Sequence, residues 1–224
     1  MAGKQLIAGI FGHSMVKRLR KAMVSWNKRK HRGSDLYSAA PAYFNLDKLY
    51  SRMVIEMEKT YMVRDLTKQL NILTTESVDV CLLISGSNNL VNHKEQPEQI
   101  AEELFSLADY LVHGFGVKLV VFVGAIRRSK CKGMDPEIFD GRVNRFNKRL
   151  ALLSKKDTHS LYYSPRGFWR SEDGKKKLPV SKFSLDGIHP GPSTGSPSFR
   201  KFTGNVRDAL IAAAGIVHDG GMKR

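Results

Sequence analysis

The sequence predicts an α/β fold, a three-layer α/β/α sandwich with a five-stranded parallel sheet as its middle layer. Apolar, strand-like runs alternate with helical segments of ten or more residues along the chain, which indicates right-handed βαβ units. Two runs, at 78–86 and 117–124, are almost continuously apolar, as is typical of central strands covered on both faces. A length of 224 residues with 42% hydrophobic residues suits one such domain, so we expect a single domain over 1–224.

Each element is predicted from a local pattern of apolar residues and turn signals. Strands are expected at 4–11, 52–57, 78–86, 117–124 and 159–164. Helices are expected at 14–26, 63–73, 100–111, 136–154 and 196–215, the fourth with a proline near its start and the last ending at a glycine. Residues 28–50 lack a clear period, and we interpret them as a lid or an insertion.

The charge of the chain is strongly positive and unevenly distributed. Its formal net charge is +16 at pH 7, and residues 1–34 hold nine lysines and arginines without one acidic residue. Residues 127–156 add ten basic residues, whereas 76–109 carry seven acids and one lysine. A basic face of this kind suits a polyanion such as RNA, DNA or an anionic membrane surface. The alternative is that the positive charge serves only to keep the protein in solution.

Cysteine usage and hydropathy exclude a disulfide scaffold and a membrane-spanning protein. The two cysteines, Cys81 and Cys131, make no disulfide framework, and the strand pattern around Cys81 predicts a buried free thiol. No stretch approaches the roughly 18 apolar residues of a membrane span. The apolar run at 6–11 is too short for a signal peptide, and no small-residue cleavage site follows it. We therefore expect a soluble intracellular protein, cytoplasmic or nuclear.

Three predicted strands end where a ligand would bind. In an open α/β sheet, ligands lie beyond the carboxyl ends of the strands, which here are 12–14, 86–89 and 124–128. Ser14 stands where the first strand gives way to a basic helix. Three roles suit it: a helix N-cap, part of an anion-binding turn, or a nucleophile on a sharp turn.

Three further residues complete the set of groups that acyl transfer needs. Asn88 lies in the Gly-Ser-Asn-Asn stretch after the third strand, and Asp186 precedes His189 by three residues in a late loop. With Ser14 they provide a hydroxyl, an imidazole to accept its proton, a carboxylate to orient the imidazole and an amide donor for an oxyanion. Each residue is weak evidence alone, but together they predict a functional site.

The same stretches resemble a known family. FGHSMVKRL, ISGSNNL and DGIHP are similar to blocks I, III and V of the SGNH (GDSL-type) hydrolases, in the family's order and spacing. RVNRFNKRL, at 142–150, resembles the family's helix before its last strand, and the likeness extends over residues 5–212. It is closest to the divergent esterase-like domains of animal mobile elements. The resemblance implies a flavodoxin-like fold with a five-stranded parallel sheet between helices.

The resemblance also implies a reaction and a role for each site residue. Ser14 would be the nucleophile, His189 the general base and Asp186 the group that orients it. Asn88 and the backbone N–H of Ser14 would hold the oxyanion. The reaction would be hydrolysis of a small acyl or acetyl ester through an acyl-enzyme, with no metal and no organic cofactor. An acyltransferase would use the same residues.

Two departures from the family pattern bear on activity. His13 stands where the family has an aspartate before the serine, and it is either a structural or solvent-facing residue or a second titrating group beside Ser14. The stretch 54–63 lacks the block II glycine whose N–H completes the oxyanion hole. A backbone N–H from residues 57–59 would have to replace it. We therefore expect a weakened activity or an unusual substrate.

A second hypothesis belongs to another functional class. The fold would be retained as a nucleic-acid-binding or assembly module of a mobile element, with weak or lost catalysis. The residues expected to contact an anionic substrate or a nucleic acid follow the first and fourth strands, and they are Lys17, Arg18, Arg20, Lys21, Arg127 and Arg128. The alternative for all six is a solvated basic surface. No pattern in the sequence indicates an oligomeric state.

Overall fold

A computed structural model provides the coordinates of the chain. It describes residues 5–30, 34–56, 63, 70–131, 133–168, 187–191 and 196–220, and the backbone alone at 170–172 and 175–177. The helices in these ranges are α1 (Ser14–Lys30), α2 (Leu36–Tyr43), α3 (Pro97–Phe115), α4 (Pro136–Lys156) and α5 (Pro197–His218). The strands are β1 (Leu6–Gly12), β2 (Tyr50–Glu56), β3 (Val80–Ile84), β4 (Leu119–Val123), β5 (Ser160–Tyr163), β6 (Arg170–Glu172) and β7 (Lys175–Lys177).

Five strands form one parallel sheet in the order β2-β1-β3-β4-β5, and helices cover both of its faces. The predicted α/β/α fold class is therefore confirmed. The antiparallel pair of β6 and β7 lies outside this sheet and was not predicted. The chain passes from β1 to one side for β2 and to the other side for β3, so the strand order reverses between β1 and β3. Ligands of open α/β sheets bind at the carboxyl ends of strands at such a reversal.

Alternate residues of the central strands pack into two separate cores, one on each face of the sheet. Leu82 and Val121 belong to the core shared with α1, α2 and α5. Leu83 and Phe122 belong to the core shared with α3 and α4. All four side chains are fully buried. Coverage on both faces is the reason why these strands are continuously apolar in sequence instead of alternating.

The observed helices differ from the predicted ones mainly at their ends. α1 continues to Lys30, four residues beyond the predicted end. α5 does not end at Gly215 but runs on to His218, and the carbonyl oxygen of Gly215 accepts a hydrogen bond from the N–H of Asp219. Glycine in a helix interior costs only about 0.5–1 kcal/mol relative to alanine, so a well-packed helix passes through it.

The predicted helix at 63–73 is tested only at its end. Residues 64–69 lie outside the described ranges, and Asn71–Thr74 forms a short 3₁₀ helix. Leu73 in this turn is buried and joins the core beneath α3.

The segment interpreted as a lid or an insertion contributes to the core where it is described. α2 begins after Asp35, whose carboxylate accepts hydrogen bonds from the N–H groups of Tyr37 and Ser38. Phe44 and Leu46, just after α2, are each 2% exposed and belong to the core that includes α1. These residues therefore form part of the layer beside α1 and β2.

Cys81 is fully buried in β3, and burial raises the pKa of its thiol. Cys81 and Cys131 are both free thiols, so the prediction of a buried free cysteine in this strand is confirmed. Among the helices described above, none combines the length and the hydropathy needed to cross a membrane.

We predict that Gly12→Ala destabilises the fold. A Cβ at Gly12 would overlap the carbonyl oxygen of Ile84 on β3 and the side chain of Val16. Because the first of these is backbone, the two strands would have to part, and we expect the free energy of unfolding to fall by about 1–3 kcal/mol. Urea unfolding followed by circular dichroism measures this change.

The matched control is Gly141→Ala, at an exposed position of α4 where no atom lies within 4 Å of the added methyl group. Replacing glycine by alanine in a helix should raise the free energy of unfolding by about 0.5–1 kcal/mol. Unchanged or raised stability of Gly12→Ala would contradict the close approach of β1 and β3.

Candidate active site

The pairing of β1 with β3 brings two predicted site residues to the same edge of the sheet. Gly12 stands opposite Ile84 in the ladder, so the turn that carries Ser14 and the loop that carries Asn88 leave the sheet side by side. A narrow pocket lies between them, lined by His13, Ser14, Met15, Ile84, Ser87, Asn88, Ile126, Arg128 and Ile188. The structure thus places Ser14 and Asn88 around one pocket, at the point where the strand order reverses.

Ser14 is the first residue of α1 and is half-buried. The first helical hydrogen bond runs from the N–H of Lys17 to the carbonyl oxygen of His13, at 3.0 Å. His13, not Ser14, therefore occupies the N-cap position. The first N–H groups of a helix have no acceptor within it and carry a partial positive charge. The backbone N–H of Ser14 therefore lies where an anion in the pocket is favoured.

His13 links the ends of β1 and β3. Its side chain is 6% exposed, and its Nε2 lies 2.5 Å from Oγ of Ser85, the residue that follows β3. This hydrogen bond connects the two chain segments that carry Ser14 and Asn88. A solvent-facing role for His13 is excluded by its burial, and the contact with Ser85 supports a structural role.

A buried amide holds the loop after β3. Asn89 is 2% exposed, and its Oδ1 accepts a hydrogen bond from the N–H of Val63 at 2.9 Å. Its Nδ2 donates to the carboxylate of Glu95 at 2.7 Å. Asn88, immediately before it, stays half-exposed beside the pocket. The loop is thus fixed by Asn89 while Asn88 remains available to a ligand.

Arg142 of α4 supports the same loop from the other side. Its Nε donates to the carbonyl oxygen of Leu90 at 2.7 Å, and its Nη2 donates to the carbonyl oxygens of Asn92, at 2.8 Å, and Glu95. A guanidinium group satisfies several carbonyl oxygens at once because its donors form a rigid planar fork. Burial lowers the pKa of Arg142.

The two arginines after β4 have different partners. Arg127 forms an ion pair with Asp140 of α4 at 3.1 Å, and its side chain is only 13% exposed. Arg128 is 8% exposed and lines the pocket. Its Nη2 donates to Oγ of Ser87 at 3.0 Å and to Oδ1 of Asn88 at 2.7 Å. The structure therefore places Arg127 against α4 and Arg128 in the pocket wall.

Two side chains of α4 attach the loop after β4: Asp140 through its ion pair with Arg127, and Asn147 through hydrogen bonds to Ala125. Burial raises the pKa of Asp140 to about 6, and the neighbouring Arg127 opposes this rise. Asn147 pairs with the backbone of Ala125 in both directions: its Oδ1 accepts from the N–H at 2.8 Å and its Nδ2 donates to the carbonyl oxygen at 2.9 Å. The loop that carries Arg128 is therefore fixed at its base.

The segment that carries His189 is held by the loop after β4. The carbonyl oxygen of Gly187 accepts hydrogen bonds from the N–H groups of Ser129, at 2.9 Å, and Lys130, at 3.2 Å. Gly187 has a φ of +67°, which glycine adopts without strain. Ile188 lines the pocket, so His189 directly follows a residue of the pocket wall.

α1 holds the same segment from the opposite side. Nη1 of Arg18 donates to the carbonyl oxygen of Gly191 at 3.1 Å, two residues after His189. The helix that begins with Ser14 therefore also positions the chain around His189. Asp186, the predicted orienting carboxylate, lies outside the described residues.

The other cations predicted on α1 differ in their exposure. Arg20 lies 3.9 Å from the carboxylate of Glu56, while Lys17 and Lys21 are exposed. A shallow groove runs along this side of the helix, lined by Lys17, Arg20, Lys21, Val24, Ser25 and Lys28. Lys17 and Lys21 thus remain accessible to an anionic ligand.

The backbone donor expected in place of the block II glycine is not among the described residues, since β2 ends at Glu56 and residues 57–59 are outside the described ranges. In the described part of the chain, no three histidine, cysteine or acidic side chains are grouped to bind a metal ion.

The sequence did not predict the roles of Asn89, Arg142 and Asn147, which hold the site loops. One signal was available for the two residues on α4. Arg142 and Asn147 flank the buried stripe of that helix, formed by Phe139, Val143, Phe146 and Leu150. Polar side chains beside a buried stripe often meet backbone groups of an adjoining loop, because buried polar groups need partners.

Comparison with solved structures identifies the fold, whereas no family model and no curated protein matches the chain in sequence. A mutant of an acetyl-xylooligosaccharide esterase from Geobacillus is 16% identical, with a TM-score of 0.60 over 96% of each chain. A GDSL-like lipase from Bacteroides thetaiotaomicron is 13% identical, with a TM-score of 0.55 over 92% of this chain and 88% of that one. A mutant acetyl esterase with an acetate ion is 10% identical, with a TM-score of 0.60 over 95% and 100%. The fold is that of the SGNH and GDSL-type hydrolases.

We predict that Arg18→Met loosens the segment around His189. The variant removes the hydrogen bond to the carbonyl oxygen of Gly191, and bonds that involve a charged group contribute about 1.5–3 kcal/mol. Amide hydrogen exchange in 187–191 should therefore accelerate roughly tenfold or more. Lys17→Met, an exposed cation one residue away, is the control and should leave this exchange unchanged. Equal exchange in both variants would contradict the anchoring role of Arg18.

Proposed function

We propose that the chain is a serine ester hydrolase of the SGNH type, with Ser14 as nucleophile, His189 as general base, Asp186 as its orienting carboxylate and Asn88 as an oxyanion donor. One observation carries this proposal: Ser14 and Asn88 share a pocket at the reversal of strand order, next to the segment of His189. The fold and three sequence motifs support the same assignment.

The reaction would proceed in two balanced steps. Ser14 Oγ bonds to the ester carbonyl carbon while the imidazole of His189 takes its proton, and the tetrahedral oxyanion accepts hydrogen bonds from Nδ2 of Asn88 and the N–H of Ser14. Collapse breaks the ester C–O bond, and the leaving alcohol takes the proton from His189. Water then attacks the acyl-enzyme and gives a proton to His189; the bond between the acyl carbon and Ser14 Oγ breaks, His189 returns the proton to Oγ, and the acid and free Ser14 result.

The lining of the pocket supports a small acyl group as the substrate. Met15, Ile84, Ile126 and Ile188 give it an apolar wall, and the pocket between them is narrow. Two of the similar solved structures are acetyl esterases by description, one of them acting on acetylated xylo-oligosaccharides. An acetyl ester is therefore the substrate class we propose, with water as the acceptor.

The proposed activity is weaker than that of enzymes with a complete oxyanion hole. Asn88 and the N–H of Ser14 are the two oxyanion donors in this proposal, and the glycine of block II is absent from 54–63. Loss of one such donor typically lowers kcat by about 10²–10³. A backbone N–H from 57–59 would restore part of this loss in kcat.

Turnover of p-nitrophenyl acetate tests the proposal. Ser14→Ala and His189→Gln should each lower kcat by about 10³ or more, and Asn88→Ala by about 10²–10³. Ser106→Ala removes an exposed hydroxyl on α3 and should keep the wild-type rate. Circular dichroism confirms that each variant is folded. A wild type without turnover, or unchanged rates in the Ser14 and His189 variants, would refute the hydrolase assignment.

A second candidate function is nucleic-acid binding, favoured by the groove along α1. The helix carries seven lysines and arginines and no acidic residue, and Lys17, Lys21 and Lys28 of the groove are exposed. A nucleic acid suits this surface better than a membrane does, because the exposed large apolar residues of the described chain all lie outside α1. Lysines on a helix face would meet the phosphates of one strand without reading its sequence.

Binding of a labelled 20-nucleotide single-stranded RNA between 50 and 300 mM salt tests this second function. Replacing Lys17, Lys21 and Lys28 by alanine should weaken binding and reduce the slope of log K against log salt by about 2, since each phosphate contact contributes about 0.7. The control replaces Lys148, Lys155 and Lys156 of α4, which are also exposed. No binding at 50 mM salt, or the same slope in both triple variants, would rule out this role of the groove.

A further inference from the structure

We propose that Arg128 is a positioning residue that sets the orientation of the Asn88 amide and strengthens it as an oxyanion donor. This inference rests on the proposed hydrolase function, and it assigns to the oxyanion site a member that neither the motifs nor the fold indicates. Arg128 touches no reacting atom in this proposal, because it acts through Asn88.

The Asn88 amide faces Arg128 with its oxygen. Nη2 of Arg128 lies 2.7 Å from Oδ1 of Asn88. A guanidinium group can only donate hydrogen bonds, whereas an asparagine side chain offers an acceptor at one end and a donor at the other. The contact with Arg128 therefore requires that Oδ1 of Asn88, and not Nδ2, faces the guanidinium group. The donor Nδ2 is left as the end of the amide that serves the pocket.

Arg128 is held in place by an aromatic ring and two oxygen atoms. Its guanidinium carbon lies 5.2 Å from the centre of the Phe139 ring, and the same Nη2 also donates to Oγ of Ser87 at 3.0 Å. The side chain is 8% exposed, so water competes little for these contacts. A planar group stacked on a ring and bonded to two oxygens has few alternative positions. Asn88 therefore meets a fixed donor.

The positive charge of Arg128 strengthens its hydrogen bond to Asn88. A hydrogen bond from an ionised donor is stronger than one between neutral groups, and a donor on the amide oxygen polarises the whole amide. The N–H groups of Asn88 then become better donors to the negative oxygen that forms in the transition state. This contribution grows as the oxyanion develops, so it should raise kcat more than it lowers KM.

Kinetics on p-nitrophenyl acetate separate this role from a structural one. Arg128→Met should lower kcat about 10- to 100-fold, part of the loss that follows removal of a whole oxyanion donor, with KM changed by less than about threefold. Arg128→Lys keeps the charge without the planar fork, and its kcat should lie between those of the wild type and Arg128→Met. Arg145→Met removes an exposed arginine of α4 that pairs with Glu98 of α3, and it is the control that should keep the wild-type kcat.

The double variant Asn88→Ala/Arg128→Met gives the sharpest kinetic test. If Arg128 acts through Asn88, its loss adds little once Asn88 is gone, and kcat of the double variant should lie within about twofold of Asn88→Ala alone. Losses that multiply would overturn the proposal. If Arg128→Met does not fold, the same comparison with Arg128→Lys decides.

A spectrum of the Asn88 side chain tests the contact without any turnover. In a ¹⁵N–¹H spectrum, the Asn88 amide pair is identified by its loss in Asn88→Asp. The signals of this pair should shift in Arg128→Lys and keep their wild-type positions in Arg145→Met. An unshifted pair in Arg128→Lys would overturn the proposal even if the esterase is active. Absence of turnover with the expected shift would instead refute the hydrolase function and leave the Arg128–Asn88 contact standing.

Discussion

The pairing of β1 with β3 is the interaction on which the site depends. It sets Gly12 opposite Ile84, and thereby fixes the distance between the turn of Ser14 and the loop of Asn88. The absence of a side chain at Gly12 lets the two strands approach, and the hydrogen bond of His13 to Ser85 ties their ends. In enzymes, a displacement of 1 Å between catalytic groups can cost about 10² in rate, so under the proposed function this pairing affects turnover as well as stability.

Arginine and lysine have different tasks in this chain. The net charge of +16 pointed to a polyanion, but the arginines nearest the pocket serve the fold. Arg18 donates to an oxygen of the segment around His189, and Arg128 and Arg142 both donate to oxygens of the loop after β3. The rigid fork of a guanidinium group suits such contacts, whereas a flexible ammonium group suits the surface. On α1, the positive charge that is available to a partner therefore comes mainly from the lysines.

The sequence predicted the parts that local patterns control. Five apolar runs became the five parallel strands, and the motif positions Ser14 and Asn88 met because parallel strands end at one edge. Helix ends were less predictable, since α5 passes Gly215 where packing outweighs the local signal. The contacts of Arg128 could not be predicted, because they join the loop after β4 to the loop after β3 across 40 residues. Only the assembled sheet brings those residues together.

Covalent labelling with a fluorophosphonate tests the central claim, that Ser14 is an activated nucleophile in this pocket, most directly. Tryptic cleavage after Lys4 and Lys17 releases residues 5–17, in which Ser14 is the sole hydroxyl-bearing residue, so mass spectrometry locates the adduct without ambiguity. The account predicts one adduct on this peptide in the folded wild type and none in His189→Gln, whose Ser14 has lost its base. A folded wild type that is unlabelled, or labelled only elsewhere, would contradict it.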